Sequence, residues 1–348
     1  RCNTMQALVK LKEGKGNVEI QDRPVPSPAE KEVLIKVKAC GICGSDIKIY
    51  NGNHKVYPPV IMGHEFSGEI VEVGSEVRDY EVGDRVVSEV HNQFCGVCPF
   101  CRSGNIQICP KKRPAGWGVD GGFAEYVKMP SFLLHRIPNN LSFEEAALTE
   151  PTAIAAQAVM IKGKAGIEDL VVVMGCGPVG IQAAQIAKVA GSKVVITGTD
   201  GDEERLAVAK ELGIDWVINS SKEDPIQIVN KVTDGYGADI VIECSGSISG
   251  IQQAIELVRS QGKIVAVGIT GRENIPISWD KAIFKDCCLE WHFSSQGKTW
   301  EKVLALFAQG KVKAKPLITE IAPLSQWKRC FEKVEKREAL KILLIPGK

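Results

Sequence analysis

Four thiols in one short loop carry the strongest chemical signal in this sequence. Cys95, Cys98, Cys101 and Cys109 stand in CGVCPFCRSGNIQIC with the spacing C-x2-C-x2-C-x7-C. Four thiolates so close along the chain can close a tetrahedral shell around zinc, and a closed shell leaves no position for a substrate, so this would be a structural site. An iron-sulfur cluster also takes four cysteines but needs a different loop context. Unrelated free thiols or disulfides are a poor reading of this spacing in a reducing compartment.

A second set is dispersed: Cys43 in ACGICGSDIKIY, His64 and Glu65 in IMGHEFSG, and Glu150 in LTEPTA. Each is ordinary alone, since a Gly-His-Glu turn is usually just a turn and a carboxylate before proline often caps a helix. Together they offer sulfur, nitrogen and oxygen ligands. Three protein ligands plus water make an open, catalytic zinc that acts as a Lewis acid on an oxygen.

The third feature is LVVVMGCGPVGIQAAQIAKVAG, in which Gly175, Gly177 and Gly180 are spaced G-x-G-x-x-G. Gly175 permits a tight turn, Gly177 lets backbone approach a pyrophosphate, and Gly180 allows helix to pack closely on strand. The helix that starts at Pro178 would add free N–H groups, from Val179 onward, that favour phosphate charge. An isolated match of this kind is weak, because glycine turns also join strands to helices with no ligand. A metal and a dinucleotide in one chain suggest hydride transfer, with zinc stabilising an alkoxide and nicotinamide accepting the hydride.

The elements that must position these groups fall into two patterns. Residues from Met5 to about Ser131 hold short strands such as VLIKVKAC, EFSGEIVEVG and FAEYVKM, too closely spaced for crossover helices, so a compact antiparallel or barrel-like β domain is expected. SFEEAALTEPTAIAAQAVM then reads as helices interrupted at Pro151, with Ser142 and Glu145 as a capping box. From Leu170, strands alternate with helices to at least Ile269, the pattern of a doubly wound parallel sheet. The last segments return to mixed strand and helix and are expected to rejoin the first domain. The expected division is 1–153 with 295–348 for the β-rich domain and 154–294 for the dinucleotide domain.

At 348 residues two domains are the prior expectation. The chain is 44% hydrophobic and 24% charged with a formal net charge of +1, which points to no nucleic-acid or acidic-membrane partner. No run of about 18 apolar residues suggests a transmembrane helix, and RCNTMQALVK lacks the apolar core of a signal peptide. With metal-like rather than disulfide-like cysteines, a reducing cytoplasmic location is expected. Cys2, Cys40, Cys176, Cys244, Cys287, Cys288 and Cys330 are read as packing thiols.

These motifs, in this order and over essentially the whole chain, resemble the zinc-dependent medium-chain dehydrogenases, the superfamily of alcohol, sorbitol and threonine dehydrogenases. The resemblance implies an α/β protein with a GroES-like catalytic domain, a Rossmann cofactor domain and an active site in the cleft between them. It implies two zinc ions per chain, with Cys43, His64 and Glu150 matching the catalytic ligands and Glu65 a neighbouring acid that ligates directly or through water. Ser45 matches the hydroxyl that takes the substrate proton, and Asp46 the carboxylate that orients His64. Glu150 followed by proline resembles the sorbitol and polyol branch, where alcohol dehydrogenases usually have Cys. Lys48 departs from the family, which often carries His there to end a proton relay; the relay then ends at ribose and water, or Lys48 meets an anionic substrate, with a solvated surface lysine as the plainest reading.

The cofactor would be NAD, slightly favoured, or NADP. An acid at the end of the second strand should receive the NAD ribose. Aligning strands puts Gly198 there, whereas counting from Gly180 selects Asp200, with Thr199 between and Arg205 able to offset the repulsion of Asp200 for a 2'-phosphate. By resemblance Val267, Gly268 and Ile269 contact the nicotinamide, and Ser245 with Gly246 lies near the ribose. The substrate class implied is a small-molecule secondary alcohol, a polyol or sugar alcohol that is free or phosphorylated, with L-threonine or a simple alcohol as competitors. Tyr50, His54, Phe66, Trp117 and Trp291 are candidate wall residues. A fold-keeping but inactive nucleotide-binding protein is the alternative of another class, against which the intact ligand set argues. The family usually assembles as homodimers or homotetramers.

Overall fold

The computed structural model describes residues 4–347; Cys2 lies outside them. Two compact units form, one from residues 1–150, 296–309 and 314–348, the other from residues 151–295 and 310–313.

In the first unit the strands are β1 (Thr4–Lys10), β2 (Val18–Pro24), β3 (Glu32–Gly41), β4 (Val60–Ile61), β5 (Glu65–Val73), β6 (Arg85–Ser88), β7 (Tyr126–Pro130) and β8 (Leu134–Arg136). The second unit supplies β9 (Leu170–Met174), β10 (Lys193–Gly198), β11 (Trp216–Asn219), β12 (Ala238–Glu243), β13 (Val258–Ala266) and β14 (Cys288–Trp291), and the tail returns β15 (Ile318–Pro323) and β16 (Lys341–Ile345) to the first. A small sheet runs β2-β1-β4, and a larger one runs β15-β16-β3-β5-β6-β8 with β7 also paired to β3. Except for the parallel pair of β15 and β16, these pairings are antiparallel. Closely spaced strands joined by turns and short helices can pair only with such neighbours, because a parallel pair needs a long crossover. Leu8, Ile35, Val37, Ile70, Met129 and Leu344 share the core of this unit.

The buried Lys10 Nζ donates to Gly16 O at 2.7 Å and to Ile49 O at 2.9 Å. This clamp holds the β1–β2 loop against the end of the helix Gly44–Tyr50, which carries Ser45, Asp46 and Lys48.

The second unit is a six-stranded sheet in the order β11-β10-β9-β12-β13-β14, parallel throughout. That order places the first strand in the middle and reverses direction between β9 and β12, which defines a doubly wound sheet with a crevice at the reversal. The β9 run LVVVM is buried along its whole length, as a strand covered on both faces must be.

One expectation needs correcting. The helical stretch after Ser142 breaks at Leu148, not at Pro151. Ser142 and Glu145 do form the capping box of Phe143–Ala147, but Pro151 sits in the first turn of the next helix, Thr149–Ala156. A first-turn proline costs little, since the N–H it lacks would have no helical partner. This helix continues as a π-helical segment over Gln157–Gly163.

Candidate active site and metal centres

Cys43 immediately precedes the helix Gly44–Tyr50, and Asp46 on that helix accepts the Cys43 N–H through Oδ2 at 2.8 Å. Its other oxygen, Oδ1, faces His64 Nδ1 at 3.6 Å. One buried carboxylate therefore caps the helix and fixes the imidazole. His64 and Glu65 arrive from the start of β5, whose pairing sets Glu65 opposite Gly41. A ligand atom each from Cys43, His64 and Glu65 lies within 4.8 Å of the others. Ser45 Oγ lies 3.3 Å from His64 Nε2, and Trp117 packs edge-on against the imidazole with ring centroids 4.9 Å apart.

Glu150 stands outside this tight trio but is electrostatically joined to it. Burial first, then Glu65 and Asp46, push its carboxyl up to about 7, against the pull of His64 and Lys341. Burial alone would lower the basicity of His64, yet Asp46 and the Cys43 sulfur outweigh it and hold the imidazole well above its ordinary pKa. Cys43, Glu65, Asp46 and Glu150 thus gather acidic groups in one dry site. Glu65 Oε1 is buried without a hydrogen-bond partner, an arrangement that a cation answers. This donor set, thiolate, imidazole and carboxylate, fits zinc.

The sequence reading did not find Lys341. Its Nζ lies 2.5 Å from Glu65 Oε2 and 3.0 Å from Ile42 O, and it is 2% exposed. A lysine opening the apolar run KILLI was the available signal, because a lysine inside a strand buried on both faces needs an anionic partner. Lys48 is half-buried on the same helix as Ser45. Of the candidate wall residues, Trp117 and His54 stack edge-on at 5.5 Å beside His64, whereas Tyr50 packs against Trp327 and Phe331, and Phe66 belongs to the core. Trp291 lies on β14 in the other unit.

The four-cysteine loop brings all four sulfurs within 4.8 Å of one another. Cys98 caps the short helix Pro99–Arg102, and its sulfur lies 3.4 Å from that of Cys101, while Cys109 lies 3.6 Å from Cys95. The Cys98 N–H points at Cys95 Sγ and the Cys101 N–H at Cys98 Sγ. N–H groups of Val97 and Cys98 lead in drawing the Cys95 thiol down to about 6. That favours the Cys95 thiolate, the form that binds zinc, whereas burial pushes the Cys101 thiol up to about 12.

In the second unit Gly175 has φ +95°, and a Cβ on Gly180 would fall 1.9 Å from Gly175 O, so this turn closes only with glycine. A Cβ on Gly177 would meet nothing within 4 Å: this face of the turn is open. The helix Pro178–Val189 begins there with no side-chain cap, leaving first-turn N–H groups to an anion. The conflict between Gly198 and Asp200 has a steric answer. A Cβ at 198 would lie 2.7 Å from Cys176 Sγ, so an acid there would have to displace that side chain. Asp200 is exposed beyond the strand end, accepting from Asn219 Nδ2 at 2.9 Å with Lys222 3.7 Å away. Arg205 is engaged by Asp202 at 3.4 Å, and Asp202 also accepts the Thr199 N–H.

Two family models match the chain: the alcohol dehydrogenase GroES-like domain over residues 29–139 and the zinc-binding dehydrogenase over residues 178–309. A sorbitol dehydrogenase from Halalkalibacterium halodurans is 42% identical, over 98% of this chain and 99% of that protein. A D-arabitol-phosphate dehydrogenase from Enterococcus avium is 36% identical over 98% and 97%. Among solved structures, a zinc-binding dehydrogenase from Sinorhizobium meliloti bound to NADP superposes with a TM-score of 0.91 at 30% identity, covering 99% of each chain. The chain belongs to the zinc-dependent medium-chain dehydrogenases, in the branch of polyol and threonine dehydrogenases. It is an oxidoreductase that works with zinc and a nicotinamide dinucleotide, and the GroES-like and Rossmann expectations hold. Among the described residues, no helix is long and apolar enough to cross a membrane.

Proposed function

We propose that this chain oxidises a secondary alcohol of a polyol or sugar alcohol, free or phosphorylated, to the ketone, and catalyses the reverse reduction. The observation that carries the reading is the trio Cys43, His64 and Glu65 with the Ser45 hydroxyl 3.3 Å from His64 Nε2. The sorbitol and arabitol-phosphate specificities of the relatives support the substrate class.

Cys43 and His64 would hold a zinc ion with Glu65 or Glu150, and the four cysteines of the 95–109 loop a second one. When bound, zinc supplies Lewis acidity toward a substrate oxygen and the dinucleotide supplies the hydride acceptor. Ser45 receives the hydroxyl proton, being a polar hydrogen carrier beside the imidazole. Asp46 keeps His64 oriented, and Lys341 holds one oxygen of Glu65. Trp117 excludes water along one edge of His64. The alcohol would lose its O–H proton to Ser45 and its C–H hydride to the dinucleotide held by the glycine turn, which balances the oxidation to the ketone.

The dinucleotide is proposed to bind with its pyrophosphate at Gly175, Gly177, Pro178, Val179 and Gly180, and with its ribose near Asp200, which favours NAD over NADP. A homo-oligomer is proposed through β14, an edge strand on which Leu289 and Trp291 are exposed and near which Trp279, Ile283 and Phe284 are also exposed. Open apolar edges of this kind mark pairing surfaces.

The test is nicotinamide reduction by zinc-loaded protein against polyols, polyol phosphates, simple alcohols and L-threonine, with NAD and NADP in parallel. Polyol turnover lost on Ser45→Ala with zinc retained is the expected result. Turnover confined to L-threonine or to simple alcohols would overturn the substrate class.

A further inference from the structure

Strand β12 ends at Glu243, whose neighbours across the sheet are Met174, ending β9, and Ala266, ending β13. Strand order reverses between β9 and β12, so Glu243 stands at the crevice where a doubly wound sheet takes its dinucleotide. The residue is 2% exposed.

Its hydrogen bonds join two loops. Oε1 accepts the N–H groups of Ser245 at 2.9 Å and Gly246 at 3.1 Å, together with the Ser245 hydroxyl. Oε2 accepts the Gly246 N–H at 3.2 Å. The main-chain oxygen accepts the N–H groups of Val267 and Gly268, both at 2.9 Å. The loops are pressed so close that a Cβ on Gly268 would fall 2.2 Å from Gly246 N and 2.6 Å from Glu243 Oε2. Glu243 therefore holds both loops, its side chain binding the loop after β12 and its main-chain oxygen the loop after β13.

The charge of this side chain has no cationic answer. The backbone N–H groups around it can only donate, which favours an ionised acceptor. Among the described residues no lysine, arginine or histidine forms an ion pair or hydrogen bond with it. Burial holds its carboxyl pKa above the ordinary value, although the donors of Ser245 and Gly246 oppose the rise.

A doubly wound sheet binds one mononucleotide in each half. The β9–β11 half holds the glycine turn and the strand-end acid, so the nicotinamide half is the one formed by β12 and β13, directly over Glu243. The oxidised nicotinamide ring carries a positive charge and the reduced ring carries none. We infer that Glu243 tunes the redox preference of the cofactor site, its carboxylate, which has no cationic partner, favouring the oxidised dinucleotide relative to what a neutral side chain there would give. The inference rests on the assignment of this crevice to a nicotinamide dinucleotide. On this inference Glu243 acts through its charge, from beneath the loops it holds in place, and biases the site toward alcohol oxidation.

Calorimetric titration of the zinc-loaded full chain with oxidised and reduced dinucleotide tests it. Glu243→Gln keeps the shape and removes the charge. Affinity for the oxidised form is expected to fall roughly tenfold while that for the reduced form changes less than about threefold. Equal weakening of both forms, or an unchanged ratio, overturns the inference. Ser245→Ala, which withdraws a donor that favours the ionised carboxylate, is expected to move the ratio toward the reduced form, and an unchanged ratio there overturns the inference even where the Gln variant does not fold. Failure of the wild-type chain to bind either form would instead remove the crevice assignment, an outcome distinct from a failed ratio.

Discussion

Lys341 Nζ and Glu65 Oε2 lie 2.5 Å apart in the interior of the first unit, although 276 residues separate them in the chain. The returning strand β16, paired antiparallel to β3, brings the cation to the carboxylate. Burial would lower the Lys341 pKa, but Glu65 and the Cys43 sulfur raise it beyond its ordinary value. Removing one partner of such a pair leaves a buried charge, costing about 3–5 kcal/mol, whereas removing both costs much less. Lys341→Met should therefore destabilise by several kcal/mol, and Glu65→Gln combined with Lys341→Met should recover most of the loss. A denaturant cycle in which the two changes simply add would contradict this.

The two metal centres should respond differently to mutation. Cys43→Ala is expected to lower zinc content by about one equivalent and abolish turnover with a change in melting temperature of only a few degrees. Cys98→Ser should also lose about one equivalent but destabilise the fold strongly, because binding energy at a closed cage is folding energy. Elemental analysis with thermal melts separates the cases. A Cys98→Ser protein with unchanged metal content and stability would remove the structural-zinc assignment.

Acidification should weaken the fold through His91. Burial, aided by Lys112, holds this imidazole down to about 3, against about 6.5 in the unfolded chain. Between those values the unfolded state binds the extra proton, so stability is full above about pH 6.5 and falls as pH drops toward 3. At pH 5 the loss from this one group is about 2 kcal/mol. His91→Gln should flatten the difference in denaturation midpoint between pH 7.5 and pH 5 by about that amount; an unchanged difference would show that His91 is not the group responsible.

Cofactor choice should turn on the exposed end of β10. Asp200 repels a 2'-phosphate, while Lys222, 3.7 Å away, attracts one. Asp200→Ala is expected to raise the NADP to NAD ratio of kcat/KM by roughly tenfold, and Lys222→Ala to lower it. Ratios left untouched by both substitutions would place the ribose elsewhere.

What the sequence by itself determined was whatever depends on neighbours in the chain. The alternation of strands and helices after Leu170 and the glycine turn at Gly175–Gly180 specify a doubly wound sheet, because period and turn geometry are local. The Ser142–Glu145 capping box is local too, as is the four-cysteine loop. Proline was a less secure guide: its position in the first turn at Pro151 depends on where the helix starts, which Leu148 decided.

Only the tertiary structure decided which distant groups share a site. That Glu65 joins Cys43 and His64 more closely than Glu150 does, and that Lys341 answers Glu65, follows from the register of β3, β5 and β16. Gly198 illustrates the same limit, since counting residues cannot show that Cys176, Leu206 and Asp202 fill the space a side chain there would need. Electrostatics and steric exclusion act through space at a few ångströms, and the folding of strands from far parts of the chain alone sets those distances.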